Sequence, residues 1–164
     1  LLEIRDIIRV LKREDDAPKD LENKAVLLAG EIFELCKRTE KGEGEKLARD
    51  ILGSGKAFSK FKQIIEAQRG AVPALRELES RLGKHVKNIL SEKDSVVREI
   101  DNKKISAIAN TAGSPMDKGS GVYLHKHVGE KIRKGERLIT VYSDSDARLN
   151  NALELFRKLM PVAY

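Results

Sequence analysis

Apolar residues recur at helical spacing through the first half of the chain. Leu1, Ile4, Ile7, Ile8 and Leu11 fall at i, i+3 and i+4, which predicts one amphipathic helix. Pro18, within Asp15–Lys19, predicts a turn. Asp20 reads as the cap of a second helix that carries Ala25, Leu28, Ala29, Ile32, Phe33 and Cys36 inward to about Arg38. Gly42 and Gly44 mark a loop. Glu45–Leu52 reads as a third helix with Leu47, Ala48, Ile51 and Leu52 inward. Gly53 and Gly55 bracket a break at which Ser54 is a candidate cap. Ala57–Gln68 reads as a fourth helix that buries Phe58, Phe61, Ile64, Ile65 and Ala67. Gly70 stops it, and Pro73 opens a last helical stretch to about Leu82.

The period changes near Gly83. Short β-prone runs follow at Val86–Leu90, Ser95–Ile100, Val122–His125 and Leu138–Ser143. A helix at Lys104–Ala112 interrupts them. Another, Asp144–Leu159, turns Leu149, Ala152, Leu153, Leu155 and Phe156 inward. The stretch HVGEKIRKGERL places Val128, Ile132 and Leu138 around Gly129 and Gly135, and glycine accepts the positive φ of tight turns. The expected fold class is therefore α+β. Residues 1–82 form a helical segment, and residues 83–164 form a compact domain of α/β-hammerhead, barrel-sandwich hybrid-like type. The last residues, Met160–Tyr164, read as the start of an apolar strand. The chain opens on Leu1 with a helical pattern already running and no cap before it, which predicts truncation upstream.

Composition changes this picture little. Aromatic residues make up 4% of the chain and tryptophan is absent, so the core must be aliphatic. Charged residues make up 35% and the net charge is +6, which raises nucleic acid as a partner. The signs alternate, as in Lys12–Arg13–Glu14–Asp15–Asp16, and no basic run is interleaved with aromatics for base stacking. A solvated surface is the expectation, without a nucleic-acid partner. The single cysteine, Cys36, cannot pair internally; it reads as a small buried hydrophobe in a reducing, cytoplasmic compartment. No apolar run is long enough to span a bilayer, so no membrane partner is expected.

The residues with chemical potential are few. His125 and His127 lie two apart, and with His85 and Cys36 remote in sequence they do not read as a zinc set. No serine sits in a nucleophile elbow. Asp117–Lys118–Gly119–Ser120–Gly121 looks like a phosphate loop, but it lacks the spacing and the following helix, so it reads as a flexible turn before a strand. Lys126, Lys131, Arg133, Lys134 and Arg137 form a basic cluster that is either solvated or able to attract anions at long range. HVGEKIRKGERL is also similar to the half-motif of biotinyl and lipoyl carriers. The hairpin that would hold the modified lysine, Val141–Asp146, contains none.

Two blocks carry a family resemblance. The first runs through LLEIRDIIRVL, LAGEIFEL and GEGEKLARDILGSGKAFSKFKQIIEAQRG. The second is EIDNKKISAIANTAGSPMDKGSGVYLHKHVGEKIRKGERLITVYSDS. Together they resemble the thymidine phosphorylase family, which includes archaeal AMP phosphorylases, and DKGSGVYLH is closest in form to that archaeal branch. The resemblance implies a glycosyltransferase in which phosphate attacks the anomeric carbon of a nucleoside or nucleotide and releases a free base. Phosphate is then a co-substrate, and a homo-oligomer is expected. It places residues 1–82 within the central catalytic domain of a longer enzyme and residues 83–164 as its C-terminal domain. The family's catalytic motifs do not occur in these residues, so no catalytic residue is carried over and the chain alone is expected to be inactive. No cofactor is required, although the resemblance implies a structural potassium ion with Asp6 as one ligand, set against an ordinary exposed helix carboxylate. Arg69–Gly70 stands where the family usually has two glycines, and Ala71–Leu90 departs from its usual proline-containing strand. A non-catalytic hammerhead-type binding or carrier module is the alternative.

Overall fold

The computed structural model describes residues 1–164. They form two compact units: Glu3–Leu78, and Glu79–Tyr164 together with Leu1–Leu2. The chain is α+β, with seven helices and small antiparallel sheets.

The first unit is helical. Its helices are α1 (Leu2–Lys12), α2 (Lys19–Leu35), α3 (Gly44–Gly53) and α4 (Lys56–Ala67), followed by α5 (Leu75–Ser80) at its boundary. Val10, Ala17, Val26, Ala48 and Leu52 make the core, with Leu21 and Phe33 packed against it. Pro18, not Asp20, precedes α2, because the fixed φ of proline suits a helix entrance. Ser54 closes α3 by donating its hydroxyl to the Ile51 carbonyl (3.2 Å), and Gly55 in the left-handed region opens α4.

Helices α2 and α3 meet backbone to backbone. A Cβ on Gly30 would lie 2.6 Å from the Glu45 nitrogen, and one on Gly44 would lie 2.2 Å from the Gly30 oxygen. At this crossing the Gly44 N–H donates to Glu34 Oε1 (3.0 Å), so a carboxylate from one helix satisfies an orphan amide of the next. Gly44 thus begins a helix rather than marking a loop.

Burial departs from the periodic reading in several places. Leu28, Ile32, Ile64 and Ala67 are exposed, as is Cys36, which sits at the end of α2 beyond its buried face. Along the first stripe, Ile8 is fully buried, and Leu1 and Ile4 are half-buried. Arg69 closes α4 with φ +62°, the left-handed conformation that a side chain destabilises by about 1–2 kcal/mol. This explains why a glycine suits that position. Arg69→Gly is expected to stabilise the protein by about 1 kcal/mol, read as a higher denaturant midpoint. An unchanged or lower midpoint would refute this account.

The second unit holds three sheets. Strands β1 (His85–Leu90), β6 (Arg137–Ser143) and β4 (Gly121–Leu124) form an antiparallel sheet in the order β1-β6-β4. Register runs from His85 opposite Ser143 to Leu90 opposite Arg137, with a bulge at Ile89/Leu90. The expected strand Ser95–Ile100 is two bridges instead. β2 (Ser95–Val96) pairs with β5 (Lys131–Ile132), which no sequence pattern announced, and β3 (Glu99–Ile100) pairs with β7 (Val162–Ala163). Val97, between them, is fully buried. The helices α6 (Asn102–Ala112) and α7 (Asp146–Leu159) pack on each other and on β6, and Ile108, Ala112, Ile139, Val141, Leu149 and Ala152 form the core.

Both helices are capped by side chains. Asp101 Oδ1 accepts from the Lys103 and Lys104 amides, and Ser145 caps α7. The Lys104 amide bond is the main reason the Asp101 carboxyl lies below its ordinary range. Glu136 is lowered in the same way, first by the Arg133 amide and then by Lys126. Carboxyls whose folded pKa is lowered stabilise the fold above the ordinary carboxylate value, and that contribution disappears as pH falls through the lowered one. The melting temperature is therefore expected to fall below roughly pH 4. The fall should be shallower in an Asp101→Asn, Glu136→Gln protein, and an identical acid limb in the two proteins would remove these groups as its cause.

Candidate functional site

The polar centre of the second unit is a row across the sheet. Asn88, Thr140 and Tyr123 occupy matching registers on β1, β6 and β4. The buried Thr140 hydroxyl donates to Asn88 Oδ1 (2.7 Å). Its only proton is then used, so it accepts from His125 Nε2 (2.7 Å), which must carry a proton. The Tyr123 and His125 rings meet edge to face at 4.9 Å. His125 is thus a hydrogen-bond donor fixed to the sheet, and its Nε2 is not placed as a base. Thr140 interrupts the apolar run Leu138–Tyr142, and that interruption was the available signal for this row. Thr140→Val leaves two polar groups without this partner and is expected to cost about 1–3 kcal/mol in chemical unfolding. A change under about 0.5 kcal/mol would show that the row contributes little.

The other singled-out residues do not join it. Strand β4 ends at Leu124, so His125 and His127 both lie past it. The His127 amide donates to Glu130 Oε2 (2.7 Å), and His85 Nδ1 lies 3.8 Å from Asp146 Oδ1. No group of three His, Cys, Asp or Glu side chains is placed to hold a metal.

Asp117–Gly121 is a turn before a strand, as expected, but a tightly held one. Asp117 pairs with Arg148, and Ser120 Oγ accepts from the Asp144 amide (3.1 Å). The Gly119 carbonyl accepts from the Gly83 amide (2.8 Å). With its polar groups so engaged, the loop serves to join α6, β4 and β6.

The basic cluster is largely solvated. Lys126 pairs with Glu136 (3.2 Å), while Lys131, Arg133, Lys134 and Arg137 are exposed. Asp6 Oδ1 lies 3.1 Å from Arg5 Nε and 3.9 Å from Arg9 Nη1. A carboxylate between two guanidinium groups does not fit a site for a further cation.

A groove of about 640 Å³ lies in the second unit, lined by Leu90, Lys93, Phe156, Arg157 and Met160 among others. Its size falls within the range of ligand cavities. Its lining includes Glu92, Lys93 and Tyr164 but no serine, cysteine or histidine.

Residues 96–163 match the pyrimidine nucleoside phosphorylase C-terminal domain. The chain is 43% identical over 156 residues to a Legionella pneumophila protein provisionally named a thymidine phosphorylase, a match covering 95% of the chain and 29% of that protein. It is 42% identical over 161 residues to the AMP phosphorylases of Methanococcus maripaludis and Methanocaldococcus jannaschii, covering 98% of the chain and 32% of each. The chain thus spans about a third of the length of the curated relatives it matches. Similarity thus extends through both units to relatives named thymidine phosphorylase or AMP phosphorylase, and the second unit carries the match to the pyrimidine nucleoside phosphorylase C-terminal domain.

Proposed function

We propose that the chain is the C-terminal part of a nucleoside or nucleotide phosphorylase. The single observation that carries this reading is the similarity over 95–98% of the chain, through both units, to relatives named phosphorylases. In the proposed reaction an oxygen of inorganic phosphate bonds to the anomeric carbon, the carbon–nitrogen bond to the base breaks, and the base leaves with a proton. The chemistry needs a phosphate cradle, cations and a proton donor for the base. The residues described above form no such set, so they support the reaction from outside it. The helical unit extends the catalytic domain, and the sheet unit is the C-terminal domain that follows it in sequence. AMP is the favoured substrate because relatives named AMP phosphorylase match 98% of the chain. The whole enzyme is proposed to be a cytoplasmic homo-oligomer.

The test is phosphate-dependent base release by a polypeptide of the relatives' length, offered AMP, thymidine and uridine, with the 164-residue chain as control. Adenine release from AMP, with none from the control, is the expected result. Thymine or uracil release would reassign the substrate. No release from any substrate would bring forward the binding or carrier module. Running the assay in potassium and in sodium salts, with wild type and Asp6→Asn, decides the potassium role. A potassium requirement that disappears in the variant would restore Asp6 as a ligand despite its arginine partners.

A further inference from the structure

The groove of about 640 Å³ in the second unit is bounded by irregular backbone on two sides. Strand β1 carries its bulge there, at Ile89/Leu90. Helix α7 ends there at Met160, which holds φ +43°, and the chain then enters β7. Both places leave a large apolar side chain in water: Leu90 is 47% exposed and Met160 74%. Leu138 is buried and Phe156 and Val162 are half-buried, so they form the inner lining. Four phenylalanines and three tyrosines are all the aromatic residues of the chain, and two of these seven, Phe156 and Tyr164, line this one groove. Two cations line it as well, Lys93 and Arg157, against one carboxylate, Glu92. The Lys93 amine lies over the Tyr164 ring, 5.6 Å from its centre, and Arg157 forms no ion pair.

We propose that this groove binds a small aromatic anion: a flat apolar ring system that carries one anionic group. Three observations choose this ligand. The volume is that of a small-molecule cavity, whereas a docked protein needs a surface of roughly 20–30 residues. The lining suits a ring system: Phe156 and Tyr164 offer aromatic faces and edges, and the Met160 thioether adapts its shape to a ring. The charge suits an anion, because two cations face one carboxylate and neither cation is neutralised by a carboxylate of its own unit. Arg157 supplies a planar fork of donors and Lys93 a point charge, so a single anionic group held between them leaves the rings free to enter the apolar part. The groove has no reacting group assigned to it here, and the proposal is one of binding alone. It does not depend on the phosphorolysis reading.

A matched pair of fluorescent probes tests it. 8-Anilinonaphthalene-1-sulfonate and N-phenyl-1-naphthylamine share one aromatic body, and only the first carries an anionic group. The protein is the 164-residue chain with a Gly-Ser extension, which moves the terminal carboxylate away from Tyr164. The sulfonate is expected to bind at one site, at least about tenfold more tightly than the neutral probe. Lys93→Glu with Arg157→Glu should remove that preference and leave the affinity for the neutral probe unchanged. Both side chains are exposed, so the fold tolerates the change. Lys24→Glu with Lys41→Glu alters the net charge equally, but on exposed residues of the helical unit, and should leave both affinities unchanged. Equal affinities for the two probes would overturn the proposal, since the groove would then be an apolar patch without a use for its cations. Equal weakening by the two double variants would also overturn it, because overall charge would be the cause. Ala163→Trp locates the site independently: Ala163 is exposed on the groove, and the larger ring should fill it and displace both probes. Binding that survives this variant would place the probes elsewhere and reject the assignment.

Discussion

Gly30→Ala is expected to destabilise the helical unit by about 3 kcal/mol, the upper end of overpacking costs. For a protein of this size that lowers the melting temperature by about 6–12 °C. A methyl group is small and alanine is the better helix former, so propensity alone predicts a gain of about 0.5–1 kcal/mol. Geometry reverses the sign. The added carbon would meet the backbone of Gly44 and Glu45 at 2.6–3.0 Å, and backbone cannot rotate away as a flexible side chain can. Helices α2 and α3 would have to separate, which also weakens the bond from the Gly44 amide to Glu34. Gly53→Ala is the matched control. It also lies in a helix, and its nearest neighbour is the end of the Arg13 side chain at 3.7 Å, an ordinary contact. Gly53→Ala should therefore be neutral or stabilising. Differential scanning calorimetry of both variants separates the accounts, and two effects of the same sign and size would reject the close approach as the cause.

In the second unit the corresponding position is Gly83, where alanine should likewise cost about 3 kcal/mol. A Cβ there would lie 2.6 Å from the nitrogen and carbon of Ser143, the last residue of the central strand. Next to it, a Cβ on Gly119 would lie 2.6 Å from the Arg81 carbonyl oxygen. Ser143, fully buried, donates its hydroxyl to the Ala112 carbonyl (2.7 Å) at the end of α6. Small residues therefore let three chain segments meet where β1 begins, β6 ends and the Asp117–Gly121 turn passes. Moving Ser143 away from a new methyl group pulls on that buried bond as well. Gly129 and Gly135 supply the comparison. Both have positive φ and nothing within 4 Å of an added carbon, so alanine there costs only the left-handed strain, about 1–2 kcal/mol. Hydrogen exchange along β1 and β6 reads the result. Faster exchange confined to Gly83→Ala is expected, and equal acceleration in Gly129→Ala would mean that crowding at Ser143 is not the cause.

Five helices before Gly83, the change of period there, and the strands at Val86–Leu90 and Leu138–Ser143 are written in the spacing of apolar residues. That spacing is a local property and survives without knowledge of neighbours. The family resemblance, too, is carried by runs of residues. The polar row was only half legible: Thr140 stood out within an apolar strand, but its partners Asn88 and His125 lie on other segments of the chain. Asp117–Gly121 was legible as a turn but not as a junction, because its bonds reach Gly83, Asp144 and Arg148.

The remainder is set by long-range contact. Two apolar arcs on α2 look equivalent along the chain, and folding covers one and leaves Leu28, Ile32 and Leu35 exposed. Glycines at positions 44, 83 and 119 read as a loop, a boundary and a turn, and Gly30 lies within a predicted helix, yet a Cβ on any of the four would meet another stretch of backbone. The two-residue strand β5 has no periodicity to detect and exists only because Ser95–Val96 lies opposite it, while β7, legible as the start of an apolar strand, finds its partner in Glu99–Ile100. Periodicity says which residues can be buried, and the shape of what folds against them selects which ones are.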